Sequence, residues 1–182
     1  MNNSYKGKLL ISTPDIQGDI FSRAVVLILE HNEEGAFGLV LNKKNQELSR
    51  KLRQNFKFET DIYEGGPVEI HKYFFIVKGK PIVENYIEIE GDYYATEDLE
   101  TLGQYIIDQT LPIEDIKVFS GYSGWAPSQL ESEIQKKYWN VVEVFNLDYT
   151  SKNDEDLWKK IMQNLGGEYL IWANAPKDIS MN

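Results

Sequence analysis

Residues 24–29, Ala-Val-Val-Leu-Ile-Leu, form an unbroken apolar run rich in β-branched side chains. A strand with one wet face alternates polar and apolar residues, so a continuous run of this kind predicts a strand buried on both faces and central in its sheet. Asn32-Glu33-Glu34-Gly35 follows with turn residues, and Ala36 to Leu41 is a second apolar strand closed by Asn42. The two runs read as a hairpin.

At 182 residues, with 42% hydrophobic and 13% aromatic residues, the sequence predicts one globular domain over residues 1–182, frayed only at its ends. The first residues lack the apolar core of a secretory signal, and no run is long enough to span a bilayer, so the expected location is the cytoplasm, without a membrane partner. The absence of cysteine excludes disulfides, thiolate metal sites and cysteine nucleophiles. A net charge of −10 opposes phosphate tracking by the chain as a whole. Only Lys43, Lys44, Arg50, Lys51, Arg53 and Lys57, set against Glu47, make a basic stretch, which reads either as a solvated helix face or as an anion-binding patch.

The order of the remaining elements follows from local signals. Lys8 to Ser12 predicts a first strand stopped by Pro14. Leu48 and Leu52 place a short helix under the basic stretch. Ile62 to Glu64, Tyr73 to Val77, Tyr86 to Ile89, Ile116 to Phe119 and Val141 to Phe145 predict further strands. Thr96 caps a helix with Leu99, Leu102 and Ile106 inward, and Asn153 caps another with Leu157, Trp158, Ile161, Met162 and Leu165 inward. Gly166-Gly167 stops that helix, and Tyr169 to Trp172 reads as a closing strand. Strands outnumber helices and lie next to one another in sequence, which predicts an α+β fold with a mostly antiparallel sheet.

Residues 117–139 carry the strongest hint of a site. A strand reaches Phe119, a glycine turn at Gly121 to Gly124 presents Tyr122 and Trp125, and a helix begins at Gln129. Ser128 and Glu131 have capping-box spacing, Leu130, Ile134 and Tyr138 form the inward stripe, and Glu133 can pair with Lys137. Gly121-Tyr122-Ser123-Gly124 nearly matches a nucleophile elbow, but Trp125 stands where the second glycine belongs.

Five blocks in this order resemble the bacterial AlgH family, also called YqgE: Phe21 to Val26, Glu30-His31, Gly35 to Asn42, Gly65-Gly66-Pro67-Val68, and Gly121 to Trp125 with Gln129 to Glu131. The resemblance runs from Gly7 to Trp172. It implies a bifurcated sheet folded into a pseudo-barrel with flanking helices. Members are commonly labelled transcriptional regulators, a label that implies no catalytic or DNA-contacting residue. The chain departs from the usual pattern at Ala24, Ser123 and Ser128, where the family more often has Ser, Ala and Gly; the serine at 128 is expected to improve the helix cap.

No catalytic set, metal cluster, phosphate loop or cofactor motif is complete in the sequence. Arg23 could clamp Glu131 bidentately, and His31 reads more readily as a structural group than as a ligand. The leading expectation is a non-enzymatic binding or regulatory module for a protein or small molecule, without specific nucleic-acid contacts. Arg23, His31, Tyr122, Trp125, Gln129 and Glu131 are its candidate site residues. A hydrolase or transferase using carboxylate and histidine chemistry on residues 121–133 is the alternative. Trp125 is open between two roles, a binding anchor and a plug at the end of the barrel.

Overall fold

The computed structural model describes residues 4–16, 19–55 and 59–177. The elements run β1 (Leu9–Ser12), β2 (Val25–Asn32), β3 (Gly35–Val40), α1 (Gln46–Asn55), β4 (Ile62–Glu64), β5 (Val68–Lys78), β6 (Ile87–Ile89), β7 (Tyr93–Thr96), α2 (Leu99–Ile107), β8 (Ile116–Trp125), α3 (Gln129–Gln135), β9 (Trp139–Val142), α4 (Asp156–Leu165) and α5 (Tyr169–Asn174). The nine strands of the described residues join one sheet in the order β6-β7-β5-β8-β3-β2-β1-β9, with β4 attached to β8. The fold is α+β, antiparallel at every pairing except β4 with β8.

Branching occurs along one side of β8. Ile62 to Glu64 pair with Val118 to Ser120 in parallel, and Gly38 to Ala36 then take over against Ser123 to Trp125, while β5 runs along the other side. The changeover falls at Gly121, where the backbones crowd. A Cβ on Gly65 would lie 2.4 Å from the Gly121 carbonyl oxygen, and one on Gly66 would lie 2.1 Å from that of Tyr122. Gly121 itself has φ +69°, which favours glycine. The two glycine blocks are therefore halves of one junction, tied by Gly65 N–H to Ser120 O and Val40 N–H to Gly65 O, each 2.9 Å.

Alternation along the strands sorts the core. Leu9, Ile11, Val25, Leu27 and Leu29 face the same interior as Phe74, Phe119 and Ile89, with Leu157, Trp158 and Ile161 of α4 packed there. Side chains from both ends of the sheet meet in that cluster, which curls the sheet toward a barrel. Tyr93 on β7 packs 5.2 Å from the Tyr149 ring beyond β9, and its hydroxyl donates to Asp148. Leu10, Val26, Ile28, Trp125 and Leu130 fill a second cluster under α3. Ile62, Val77, Tyr94 and Leu102 fill a third, with α1 and α2 packed on it. Among the described residues no helix is long and apolar enough to cross a membrane.

Several local expectations are corrected. β8 continues as a strand to Trp125, so residues 121–124 are not a turn. The segment after Gly167 is the helix α5, with Tyr169, Trp172 and Ala173 at helical spacing; Tyr169 and Trp172 pack against the barrel interior, and Ala173 is buried in it. β9 starts two residues before the predicted strand and ends at Val142. Thr96 ends the unanticipated strand β7, and Asp98 caps α2 by accepting from Thr101 N–H. Leu99 is 56% exposed. Glu155, not Asn153, occupies the start of α4, and Leu165 is exposed.

Candidate functional site

The open end of the barrel is built by the far ends of β3, β5 and β8. Phe37, Phe74 and Tyr122 meet there with centroids 5.7–6.4 Å apart, two of the three contacts edge-on. Gly121, at φ +69°, breaks the strand alternation, so Tyr122, three residues beyond Phe119, packs on the same barrel core and reaches this mouth. A groove of about 550 Å³ opens over the three rings, with Glu30, Glu34, Glu69 and Glu97 around it and Lys72 among them. Lys72 Nζ is 3.1 Å from the Glu97 carboxylate and 5.4 Å from the Phe74 ring centre.

Trp125 also borders the groove, but its indole packs in the cluster under α3 and is 7% exposed. Its Nε1 donates to Glu133 Oε2 at 2.8 Å, and Trp139 Nε1 donates to the same oxygen at 2.9 Å. Gln129 Nε2 donates to the other oxygen of Glu133, and its own Oε1 accepts from Ala126 N–H. Glu133 is therefore engaged by three donors instead of by Lys137.

The expected capping box does not form. Ser128 has φ +63° and makes no side-chain cap, so serine at this position carries left-handed strain that glycine would relieve. Glu131 pairs with His31, whose Nε2 lies 2.9 Å from the carboxylate. His31 Nδ1 accepts from Tyr5 N–H at 2.9 Å, which assigns the proton of the neutral ring to Nε2. The Glu131 carboxyl is held below its usual range first by its own backbone N–H, then, against desolvation, by His31.

Arg23 does not clamp Glu131. It donates to Ala175 O at 2.6 Å, stacks 5.2 Å from the Trp158 ring centre and lines a separate small cleft with Trp172. The structure thus brings Tyr122 and Trp125 to the groove, joins His31 to Glu131 beside α3, and separates Arg23 from both. Ser123 is fully buried and donates to Gly65 O at 3.0 Å. No group of three or more histidine, aspartate or glutamate side chains suited to a metal ion occurs among the described residues.

The basic stretch is largely internally paired. Lys44 and Arg53 both reach Asp61, Lys51 reaches Glu47, and Lys43 donates to Ser22 O. Burial opposes the Asp61 charge, but Lys44 and Arg53 outweigh it and hold the carboxyl below its usual range. Lys57 lies outside the described residues.

Two groups at or near the barrel interior carry no functional signal in the sequence. Phe37 and Phe74, which make the floor of the groove, sit in ordinary apolar strand runs and carry no signal until the sheet curls. Lys117, on the barrel-facing side of β8, is 4% exposed and donates to Leu41 O at 2.7 Å and Ser151 O at 2.9 Å. Its Nζ is 4.0 Å from the Tyr63 ring centre, and burial lowers its pKa to about 7. The Tyr63 hydroxyl is itself buried without a hydrogen-bond partner among the described residues, and desolvation raises its pKa to about 12.

The AlgH-like family profile matches residues 9–170. The UPF0301 protein of Cytophaga hutchinsonii is 36% identical across 97% of this chain and 98% of its own length. The UPF0301 protein of Parabacteroides distasonis is 37% identical across 97% and 91%. The solution structure of the AlgH protein from Pseudomonas aeruginosa superposes with a TM-score of 0.73 at 26% identity, covering 97% of both chains. Protein DIP2367 from Corynebacterium diphtheriae shares the fold, with a TM-score of 0.73 at 19% identity. The glycine junction, the branched sheet and these matches agree, and the chain belongs to the AlgH-like family.

Proposed function

We propose that the protein is a single-domain, cytoplasmic binding module without catalytic activity, whose ligand seats in the mouth of the barrel. One observation carries this reading: an aromatic floor of Phe37, Phe74 and Tyr122 stands under an acid-rimmed groove of about 550 Å³. Mouths of barrels are common ligand sites because the rigid sheet presents apolar surface beside a few polar groups. The acid and base candidates nearby are committed to structure. Both ring nitrogens of His31 are engaged, and Glu133 holds two indoles and an amide. Any effect on transcription would run through the bound partner, which fits the internal pairing of the basic stretch.

Titration of ¹⁵N-labelled protein with a panel of amines, carboxylates and short peptides tests the site. Amides of Gly35, Tyr122 and Gly124 are expected to shift first, and Tyr122→Ala to abolish that response with the fold intact. A panel that moves another face and leaves these three unmoved would overturn the reading.

A further inference from the structure

We infer that the groove receives an extended, lysine- or arginine-bearing segment of a partner protein, whose cation replaces Lys72 above the Phe74 ring. This rests on the reading of the mouth as the binding site.

Charge favours such an occupant. The rim sets Glu30, Glu34, Glu69 and Glu97 against Lys72, so a cation gains attraction from several sides. The chain already shows how the rim treats ammonium groups: Lys6 Nζ lies 2.7 Å from Glu30, and Lys72 spans Glu97 and the Phe74 ring. An ammonium held between a carboxylate and an aromatic face is a cation–π site occupied from within. Both partners of the Lys72–Glu97 pair are substantially exposed, so the pair contributes little and is readily displaced.

Backbone topology favours an extended segment. β7 pairs with β5 only from Phe75 to Lys78, because the chain leaves the sheet after Thr96 and caps α2 at Asp98. Among the described residues no strand pairs with β5 from Val68 to Phe74 on that side; β5 bulges there between Val68 and Tyr73, with Glu69 at φ +46°, and Val68, Glu69, Lys72 and Phe74 all border the groove. An added strand would continue the lane that β7 abandons, taking main-chain hydrogen bonds from the extended residues beyond the Glu69 bend while alternate side chains face the floor.

The probe is an N-acetylated, C-amidated six-residue peptide alternating lysine and valine, titrated into ¹⁵N-labelled protein beside a glutamate–valine counterpart and butylamine. The lysine peptide is expected to shift Val68 to Phe74 together with Tyr122, with affinity falling as salt rises. Replacing the exposed carboxylates in a Glu34→Gln, Glu69→Gln variant should weaken binding severalfold, and Lys72→Ala should strengthen it. Equal binding of the glutamate peptide overturns the inference, as does weaker binding by Lys72→Ala. Butylamine that saturates Tyr122 while the peptide leaves Val68 to Phe74 unmoved overturns the strand-addition assignment and keeps the mouth as the site. If no probe moves Tyr122, this inference and the reading beneath it fall together.

Discussion

Gly66 and Gly121 stand back to back where the sheet divides: a Cβ on Gly121 would sit 2.5 Å from the Gly66 carbonyl oxygen. Alanine at 121 must push two strands apart and also hold φ near +69°. We expect Gly121→Ala to cost at least about 3 kcal/mol. Urea denaturation measures it, and a loss below about 1 kcal/mol would show that the junction can relax.

Trp125→Ala should cost about 3–5 kcal/mol, because the indole is buried and its N–H is bonded inside the cluster under α3. Tyr122→Ala should cost only about 1–2 kcal/mol, since its ring is partly exposed and held mainly by edge-on contacts. Denaturation midpoints of the two variants beside the parent decide this. Similar losses would remove the distinction between core indole and groove floor.

Glu133→Ala leaves the indole N–H groups of Trp125 and Trp139 without their shared acceptor. Loss of a charged acceptor from two largely buried donors should cost about 2–3 kcal/mol. Trp139→Phe in the same background should then cost less than it does in the parent. An additive double-mutant cycle would show that the three groups are not coupled.

Lys117 makes stability depend on pH in a definite direction. Its folded pKa of about 7 lies below the ordinary lysine value near 10.4 in the unfolded chain. Between those values the unfolded state binds the extra proton, so this group raises stability as pH climbs from about 7 to about 10 and contributes no slope below that window. Asp148 and Asp154 oppose the shift from a distance, and Tyr63 and Phe119 face the ammonium. Lys117→Met should flatten the parent's rise across that window. An unchanged difference between parent and variant from pH 6 to pH 10 would refute it.

Ser128→Gly should stabilise the protein by about 1 kcal/mol, because glycine adopts the left-handed conformation without the Cβ penalty and no cap bond is lost. A lower melting temperature for the variant would contradict this.

Much of the architecture is legible where burial dictates pattern. Val25 to Leu29 had to lie between two packed layers, and the structure buries alternate residues in different clusters. Gly121 shows where local reading fails. A glycine signals either a turn or a close approach of backbone, and only the partner glycines at 65 and 66, remote in sequence, reveal which applies. Tyr169 to Trp172 misled for a related reason: four consecutive apolar residues fit a short strand, and the period becomes helical only once Ala173 is included. Of the candidate site, the glycine-flanked aromatics drew notice, but Phe37 and Phe74 owe their place to curvature. Charge complementarity alone suggests an Arg23 clamp on Glu131, whereas the guanidinium stacks on Trp158 and donates to the carbonyl of Ala175.

The pairing of β1 with β9, Leu10 opposite Val141, sets the order in which the molecule can assemble. β1 waits for a strand that follows some 130 residues later, and the interior closes only when Tyr149 reaches Tyr93. Such long-range closure raises contact order and slows folding. Co-translational burial of the amino-terminal hairpin is therefore incomplete while the ribosome is still making α3. In pulsed hydrogen exchange, protection at Ile11 and Asn140, whose amides face each other across the β1–β9 pairing, should arrive together and late.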